Sequence, residues 1–298
     1  MTASLSDNTR GALLMTASMA GFTVNDVFMK AASDEVPLMQ ALFVRGFVTT
    51  GLILVMAMAF GQLRFRLPRG DWWLITLRTL AEIGTAYFFI TALFNMPIAN
   101  VTAILQALPL TVTLAGAVFL GEAVGWRRMA AILIGLVGVM LIVRPGPDGF
   151  NIYALYALAA VLLITVRDVV TRRMTREVPS LTVALIAAFG IWLFGLIGTV
   201  TQPWAPMSAL AYVQLFGAAL SIIVGYLASV MVMRVGDIGF VAPFRYTGLI
   251  CALILGLLVF GEWPDWITML GAGIVVATGI FTYWRERQLS LKMRRTSA

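Results

Sequence analysis

Long apolar stretches, broken by short runs of charged residues, proline and glycine, follow one another along almost the whole chain. Ten of them fall at about 11–30, 38–60, 71–94, 97–120, 127–143, 151–170, 181–201, 208–232, 239–260 and 266–284. Each comes close to the ~20 residues that a helix rising ~1.5 Å per residue needs to cross a ~30 Å hydrocarbon core. Inside hydrocarbon a backbone amide has to find its partner within its own segment, so stretches of this length predict helices rather than strands. The fold class expected is an all-α integral membrane protein with ten transmembrane helices, joined by linkers too short to hold a domain outside the bilayer. The first stretch is longer than the apolar core of a secretory leader and shows no convincing small-residue cleavage site, so it is expected to be retained.

The chain also contains itself twice. Residues 25–37 read NDVFMKAASDEVP and residues 167–179 read RDVVTRRMTREVP, with Asp, Val, Glu, Val and Pro in register. A second correspondence, at one constant offset, sets Phe119-Leu120-Gly121-Glu122 against Val259-Phe260-Gly261-Glu262, Trp126 against Trp266 and Gln106 against Tyr246. A Gly-Glu turn at these places ends a helix, and the tryptophan that follows anchors the next one at the membrane interface. Five apolar stretches precede the second copy, and an odd number of crossings turns that copy upside down with respect to the first. Inverted repeats of this kind are a device of transporters. The organisation expected is an N-terminal tail 1–10, a first repeat 11–143, a linker 144–150, a second repeat 151–285 and a basic tail 286–298.

Composition agrees with a bilayer and narrows the chemistry. Of 298 residues 60% are hydrophobic and 12% charged, with a mean hydropathy of +0.93, too little polar surface to cover a soluble globule. A net charge of +7 would point to nucleic acid in a soluble protein, yet here the basic residues report orientation. Arg10, Arg64, Arg66, Arg69, Arg127, Arg128, Arg172, Arg173, Arg176, Arg234 and the tail from Arg285 fall on one side, while Lys30 and Arg144 fall on the other. That bias predicts both termini in the cytoplasm, for a protein expected in the inner membrane. The tail after Trp284 also suits anionic headgroups, so membrane lipids are expected partners and nucleic acid is not. Cys251 is the single cysteine, and alone it forms neither an intrachain disulfide nor a Cys-based metal site. Histidine is absent, which removes the commonest general base, pH switch and metal ligand. No catalytic residue, metal site or cofactor is expected, and an enzyme is disfavoured.

Several short motifs bear on family. The doubled Gly-Glu turns at Glu122 and Glu262, the Tyr87…Ala92-Leu93 run before Pro97-Ile98-Ala99, Pro109, and the glycine-bearing ends near Gly138 and Gly279 resemble the drug/metabolite transporter superfamily. The resemblance is to its ten-helix branch, built from two tandem EamA-type domains, and spans about residues 11–285. It implies a substrate cavity between the halves, alternating access and transport without ATP hydrolysis. Superfamily members move amino acids, nucleotide-sugar-like compounds, vitamins or drugs, so the resemblance names no cargo. Within the branch, Arg10-Gly11-Ala12-Leu13-Leu14-Met15, the Asn25-Asp26 pair and Leu105-Gln106-Ala107-Leu108-Pro109 are similar to proteobacterial transporters, some associated with riboflavin uptake. The implied activity is secondary active transport of a small anionic, zwitterionic or aromatic metabolite, such as an amino acid or a flavin. A lipid-linked sugar flippase and a multidrug or metabolite exporter of the same fold are the alternatives.

Ionisable groups at the centre of a bilayer cost ~2.5 kcal/mol or more, so the few inside the apolar stretches carry the site reading. The candidate substrate-binding residues are Arg45, Arg78, Glu82, Tyr87, Gln106, Arg245 and Tyr246. Arg45 lies about 12 Å into the second stretch at ~1.5 Å per residue, deep enough to favour a cavity or a partner over snorkelling. Arg78 and Glu82 are spaced to share one helix face and pair, either at a cavity or merely with each other. Arg245 stands between Phe244 and Tyr246, where a cation beside rings can hold helices together or line a binding surface. Glu82, near the midplane, is the candidate for proton coupling. Asp26 and Asp168 hold equivalent places near the ends of their helices. The gates expected there pair Asp26 with Lys30 or Arg45, and Asp168 with Arg167 or Arg172, in alternation; plain helix-end charges are the other reading. Counting Arg45, Arg78, Arg167 and Arg245 against Asp26, Glu82 and Asp168 leaves a positive excess, which favours an anionic or zwitterionic cargo.

Overall fold

The computed structural model describes residues 7–121, 124–144, 151–175, 177–201, 204–232 and 241–296. Glu122, Arg176, Arg234 and the start of the ninth stretch lie outside the described residues. The chain winds into α1 (Asp7–Ala31), α2 (Leu38–Ala59), α3 (Arg69–Asn95), α4 (Ile98–Leu105), α5 (Leu108–Leu120) and α6 (Trp126–Val143). It continues through α7 (Ile152–Arg173), α8 (Ser180–Thr201), α9 (Ala209–Val232), a 3-10 turn at Ala242–Tyr246, α10 (Thr247–Phe260) and α11 (Trp266–Thr296). Among the described residues there is no strand. Ten spans, with α4 and α5 counted as one, are long and apolar enough to cross a membrane.

Proline sets several of the starts and glycine two of the ends. Pro37, Pro68 and Pro97 sit immediately before α2, α3 and α4 with φ of −57°, −55° and −55°, where a missing N–H costs no helical bond. Gly121 after α5 and Gly261 after α10 take left-handed φ of 69° and 65°, which a side chain resists, so a left-handed glycine closes both helices. Trp126 and Trp266 then open α6 and α11, with 75% and 73% of their surface exposed. Glu262 reaches away from its turn: its Oε2 accepts the Ile98 amide at 3.0 Å. There it meets an amide that the first turn of α4 leaves without a helical partner.

Two of the predicted spans are not continuous α-helices. The stretch 97–120 divides into α4 and α5 at Gln106 and Ala107. Pro109 has no amide to offer the Leu105 carbonyl and its ring crowds it, so the chain tightens through an Ala107 to Ile104 bond of 3.1 Å and restarts. The described part of the ninth stretch opens on the 3-10 turn, which contains Pro243, instead of an α-helix. The last helix, by contrast, runs beyond the predicted span to Thr296, across a tail rich in strong helix formers.

The described residues group into two compact units, one from Met1–Thr23, Pro97–Ala154 and Val224–Ala298, the other from Val24–Met96 and Leu155–Ile223. Each draws on both halves of the sequence repeat. In the first unit α6 lies along α11 almost backbone to backbone. A Cβ added at Gly271 would stand 2.6 Å from the Gly138 carbonyl oxygen. Ile98, Leu110, Ile132 and Val275 are fully buried there. In the second unit α2 runs antiparallel to α8, with Gly198 against Met39, Gly195 against Phe43 and Gly46 against Trp192. The Gln40 amide fixes the adjoining loop: Nε2 donates to the Ala205 carbonyl at 2.8 Å and Oε1 accepts the Ala205 amide at 2.9 Å.

Asp265 caps α11, accepting the Thr268 amide at 2.8 Å, and pairs with Arg144 at the end of α6. Burial pushes its carboxyl up, but the Thr268 hydrogen bonds and the Arg144 guanidinium outweigh that and hold it below the usual carboxylate range. Because the folded value is the depressed one, this stabilisation is present above an unfolded aspartate's ~3.9 and is lost as pH falls through the folded value. We expect Asp265→Ala to cost about 1 kcal/mol, the usual worth of a capping aspartate, seen as a lower Tm at neutral pH that converges with wild type in acid.

Candidate functional site

In the second unit, α3 and α7 meet along a seam of complementary side chains. Asp71, buried at the start of α3, accepts the Thr175 amide at 3.1 Å and its hydroxyl at 2.7 Å. Further along, Arg78 Nε donates to Thr171 Oγ1 at 3.2 Å and Arg167 Nη1 to Glu82 Oε1 at 3.2 Å. Beyond these Tyr156 packs on Tyr87 and Phe88, at ring-centroid distances of 6.4 and 5.2 Å. Positions rise along α3 as they fall along α7, so the helices are antiparallel. On α7 the residues Tyr156, Ala160, Leu163 and Arg167 recur at helical spacing and so share one face.

Four charges of alternating sign form the polar end of this seam. Arg78 Nη2 lies 3.6 Å from Glu82 Oε2, one turn along α3. Arg167 pairs with Glu82 on one side and holds Asp168 Oδ1 at 2.8 Å on the other. Arg78, Glu82, Arg167 and Asp168 are together neutral. Their side chains keep 16%, 20%, 26% and 33% exposure, so much of their solvation comes from one another. At the aromatic end Phe194 of α8 joins Tyr87 edge-on at 6.2 Å, making a cluster of four rings with Phe88 and Tyr156.

The two repeat-related aspartates make the same local contact. Asn25 Nδ2 donates to Asp26 Oδ1 at 2.8 Å, and Arg167 Nε donates to Asp168 Oδ1 at 2.9 Å. In each copy the residue before the aspartate also reaches another helix. Arg167 goes to Glu82 of α3, whereas Asn25 Oδ1 accepts Arg45 Nη1 of α2 at 3.1 Å. Asp168 therefore pairs with Arg167, one of its two expected partners. Asp26 meets Arg45 through Asn25, and Lys30, also expected there, donates its ammonium to the Met96 carbonyl.

The remaining candidates belong to the first unit. Gln106 is buried in the break between α4 and α5, and Arg245 and Tyr246 close the 3-10 turn. The two interruptions stand at repeat-equivalent positions, where half-helices in transporters bring backbone groups to a site. Tyr246 packs its hydroxyl over Gly279 and lines an apolar cavity of about 640 Å³ with Pro243, Leu249, Leu253, Ala272 and Val276. Sequence reasoning missed Asn25, Thr171, Tyr156 and Phe194 as site neighbours. The helical spacing of Tyr156 and Arg167 on α7 was the available signal. No group of three or more His, Cys, Asp or Glu able to hold a metal occurs among the described residues.

Residues 9–144 match the EamA-like transporter family, and residues 151–284 match it again. The chain belongs to that family. With ten apolar spans, this EamA-like protein is a multi-pass membrane protein. It is 27% identical to the riboflavin transporter of Vibrio cholerae, over 94% of this chain and 95% of the relative. An S-adenosylmethionine uptake transporter of Rickettsia conorii is 23% identical over 91% of each chain. The pseudopaline exporter CntI of Pseudomonas aeruginosa is 25% identical over 91% of this chain and 94% of its own. A solved crystal structure resembles the EamA-like chain with a TM-score of 0.62, over 90% of this chain and 96% of the other. At 19% identity, that likeness speaks for the fold alone.

Proposed function

We propose that this EamA-like protein is a secondary active transporter of the cytoplasmic membrane, with both termini in the cytoplasm. In this reading it carries a small zwitterionic metabolite bearing an aromatic or heteroaromatic group by alternating access of two inverted repeats. The observation that carries the reading is the seam of α3 and α7. An alternating charge quartet offers a guanidinium to a carboxylate and a carboxylate to an ammonium, each exchange replacing an internal pair. The four rings beside it offer stacking surface to a planar group. Relatives named for S-adenosylmethionine, riboflavin and pseudopaline support a small organic cargo.

A thermal-shift panel of amino acids, S-adenosylmethionine, riboflavin and quaternary amines tests this, followed by flux into proteoliposomes for any hit. A ligand at ~100 times its Kd stabilises by about 2.7 kcal/mol, a readable rise in Tm. The rise should vanish in Phe88→Ala and Glu82→Gln. A hit indifferent to both substitutions, or a panel without hits, would count against the seam as the binding site.

One observation favours a second reading, a flippase for a lipid-linked sugar. The apolar cavity of the first unit has Ile250, Met269 and Ile280 on its lining, 56%, 39% and 40% exposed, so it opens sideways at the depth of the spans. Stabilisation by a polyprenyl phosphate sugar, and by nothing in the soluble panel, would decide for that reading.

A further inference from the structure

We propose that Asp26 is the proton-binding group of the transport cycle, with Arg45 as its counter-charge and Asn25 as the link between them; this rests on the transport reading above. Glu82, the carboxylate expected near the midplane, is poorly placed for that task. Its two oxygens are set against Arg167 at 3.2 Å and Arg78 at 3.6 Å, so a proton arriving there has to disrupt two charge pairs. Asp26 instead accepts a hydrogen bond from the neutral Asn25 amide, which serves a carboxylate and a carboxylic acid alike. Asn25 keeps Arg45 on its carbonyl oxygen in either state.

The array has unused capacity as well. Arg45 is 7% exposed and its Nε has no hydrogen-bond partner among the described residues. Thr49, one turn further along α2 and 9% exposed, has an unpartnered hydroxyl. Buried orphan donors are rare enough to need a reason, and a group that alternates between two charge states supplies one. With Asp26 ionised, the guanidinium can turn its Nε toward the carboxylate. With the proton on Asp26 Oδ2, Arg45 falls back on Asn25 alone, and release of the proton restores the first state.

Few other charges bear on Asp26 within the second unit. Arg45 is the sole charged residue of α2, and α8 has none. Lys30 stands one turn on in α1, and the Met96 carbonyl is among the groups its ammonium meets. Between Glu82 and its end α3 offers only Tyr87, and α9 up to Ile223 only Tyr212; α7 contributes Tyr156 and, near its other end, Arg167, Asp168, Arg172 and Arg173.

The test uses the full chain in liposomes adsorbed on a solid-supported membrane, stepped in pH with no organic solute, so that the proton is the probe. Wild type should give a transient current from proton binding. Asp26→Asn should reduce it to the protein-free background, Asp265→Ala, which removes the capping carboxylate of α11, should leave it at wild-type size, and Asp26→Glu should restore it. A current that survives Asp26→Asn, one lost in Asp265→Ala, or none in wild type overturns the assignment. Should Asp26→Asn fail to fold, Asp26→Glu and Asp265→Ala still decide: loss of the current in either goes against it. The experiment contains no cargo, so an empty thermal-shift panel beside an Asp26-dependent current would sink the choice of cargo and leave the proton site standing.

Discussion

Replacing Gly195 with alanine is expected to lower the melting temperature, although alanine is the better helix former by up to about 1 kcal/mol. The new methyl carbon would stand 2.6 Å from the Phe43 amide nitrogen, and 3.0 Å from both the Leu42 carbonyl carbon and Phe43 Cα. These are backbone atoms in the second turn of α2, and no rotamer change moves them aside. The two helices have to separate, which loosens Gly46 against Trp192 and the stacking of Trp192 on Phe43 at 6.1 Å. Overpacking of this kind costs about 1–3 kcal/mol and outweighs the propensity gain; leucine at the same place should prevent folding. Gly51→Ala is the matched control on α2. Nothing lies within 4 Å of a Cβ there, so that variant should melt at or above wild type. Thermal unfolding of the three proteins in one detergent checks the order, and an unchanged Tm for Gly195→Ala would contradict the close α2–α8 contact.

That contact also marks how far the sequence could be read. Hydropathy alone located ten spans, because hydrocarbon leaves a backbone so few alternatives. It could not see that Pro109 and Pro243 stand at interruptions rather than within continuous helices, since a proline in an apolar run is compatible with a bend, a break or a fresh start. The site was legible where contacts are local. The spacing of Arg78 and Glu82 announced their pair, and the repeat announced Asp26 and Asp168 as equivalents. Contacts across helices were not legible. Arg167 reaches Glu82 from a distant part of the chain, and nothing in either helix by itself says which faces meet. Lys30 shows the same limit from the other side: a nearby aspartate made it a gate candidate, and nothing in its own helix announces the Met96 carbonyl that its ammonium meets. Asn25 was passed over because an amide carries no charge, and its use is to face two charges of opposite sign at once.

Arg167→Leu is expected to be the most damaging single change within the polar seam. Arg167 is the member that touches both acids, Glu82 at 3.2 Å and Asp168 at 2.8 Å, so its removal leaves two partly buried carboxylates sharing what Arg78 can supply. Breaking one side of a buried charge array typically costs 3–5 kcal/mol; partial exposure of these side chains points to about the lower bound. Arg78→Leu should cost less, because Glu82 keeps Arg167. The double variant Arg167→Leu with Glu82→Leu removes one charge of each sign and leaves Arg78 and Asp168 neutral as a pair. It should recover most of the lost stability, with a coupling of about 1–3 kcal/mol between the two sites. Recovery of binding should not follow, since the carboxylate that would take the cargo's ammonium is gone. Unfolding and ligand-induced Tm shifts on wild type, Arg167→Leu, Glu82→Leu and the double variant separate the two quantities. If the single losses simply add in the double variant, the four charges do not act as a unit, and the case for the seam as a zwitterion site loses its electrostatic half.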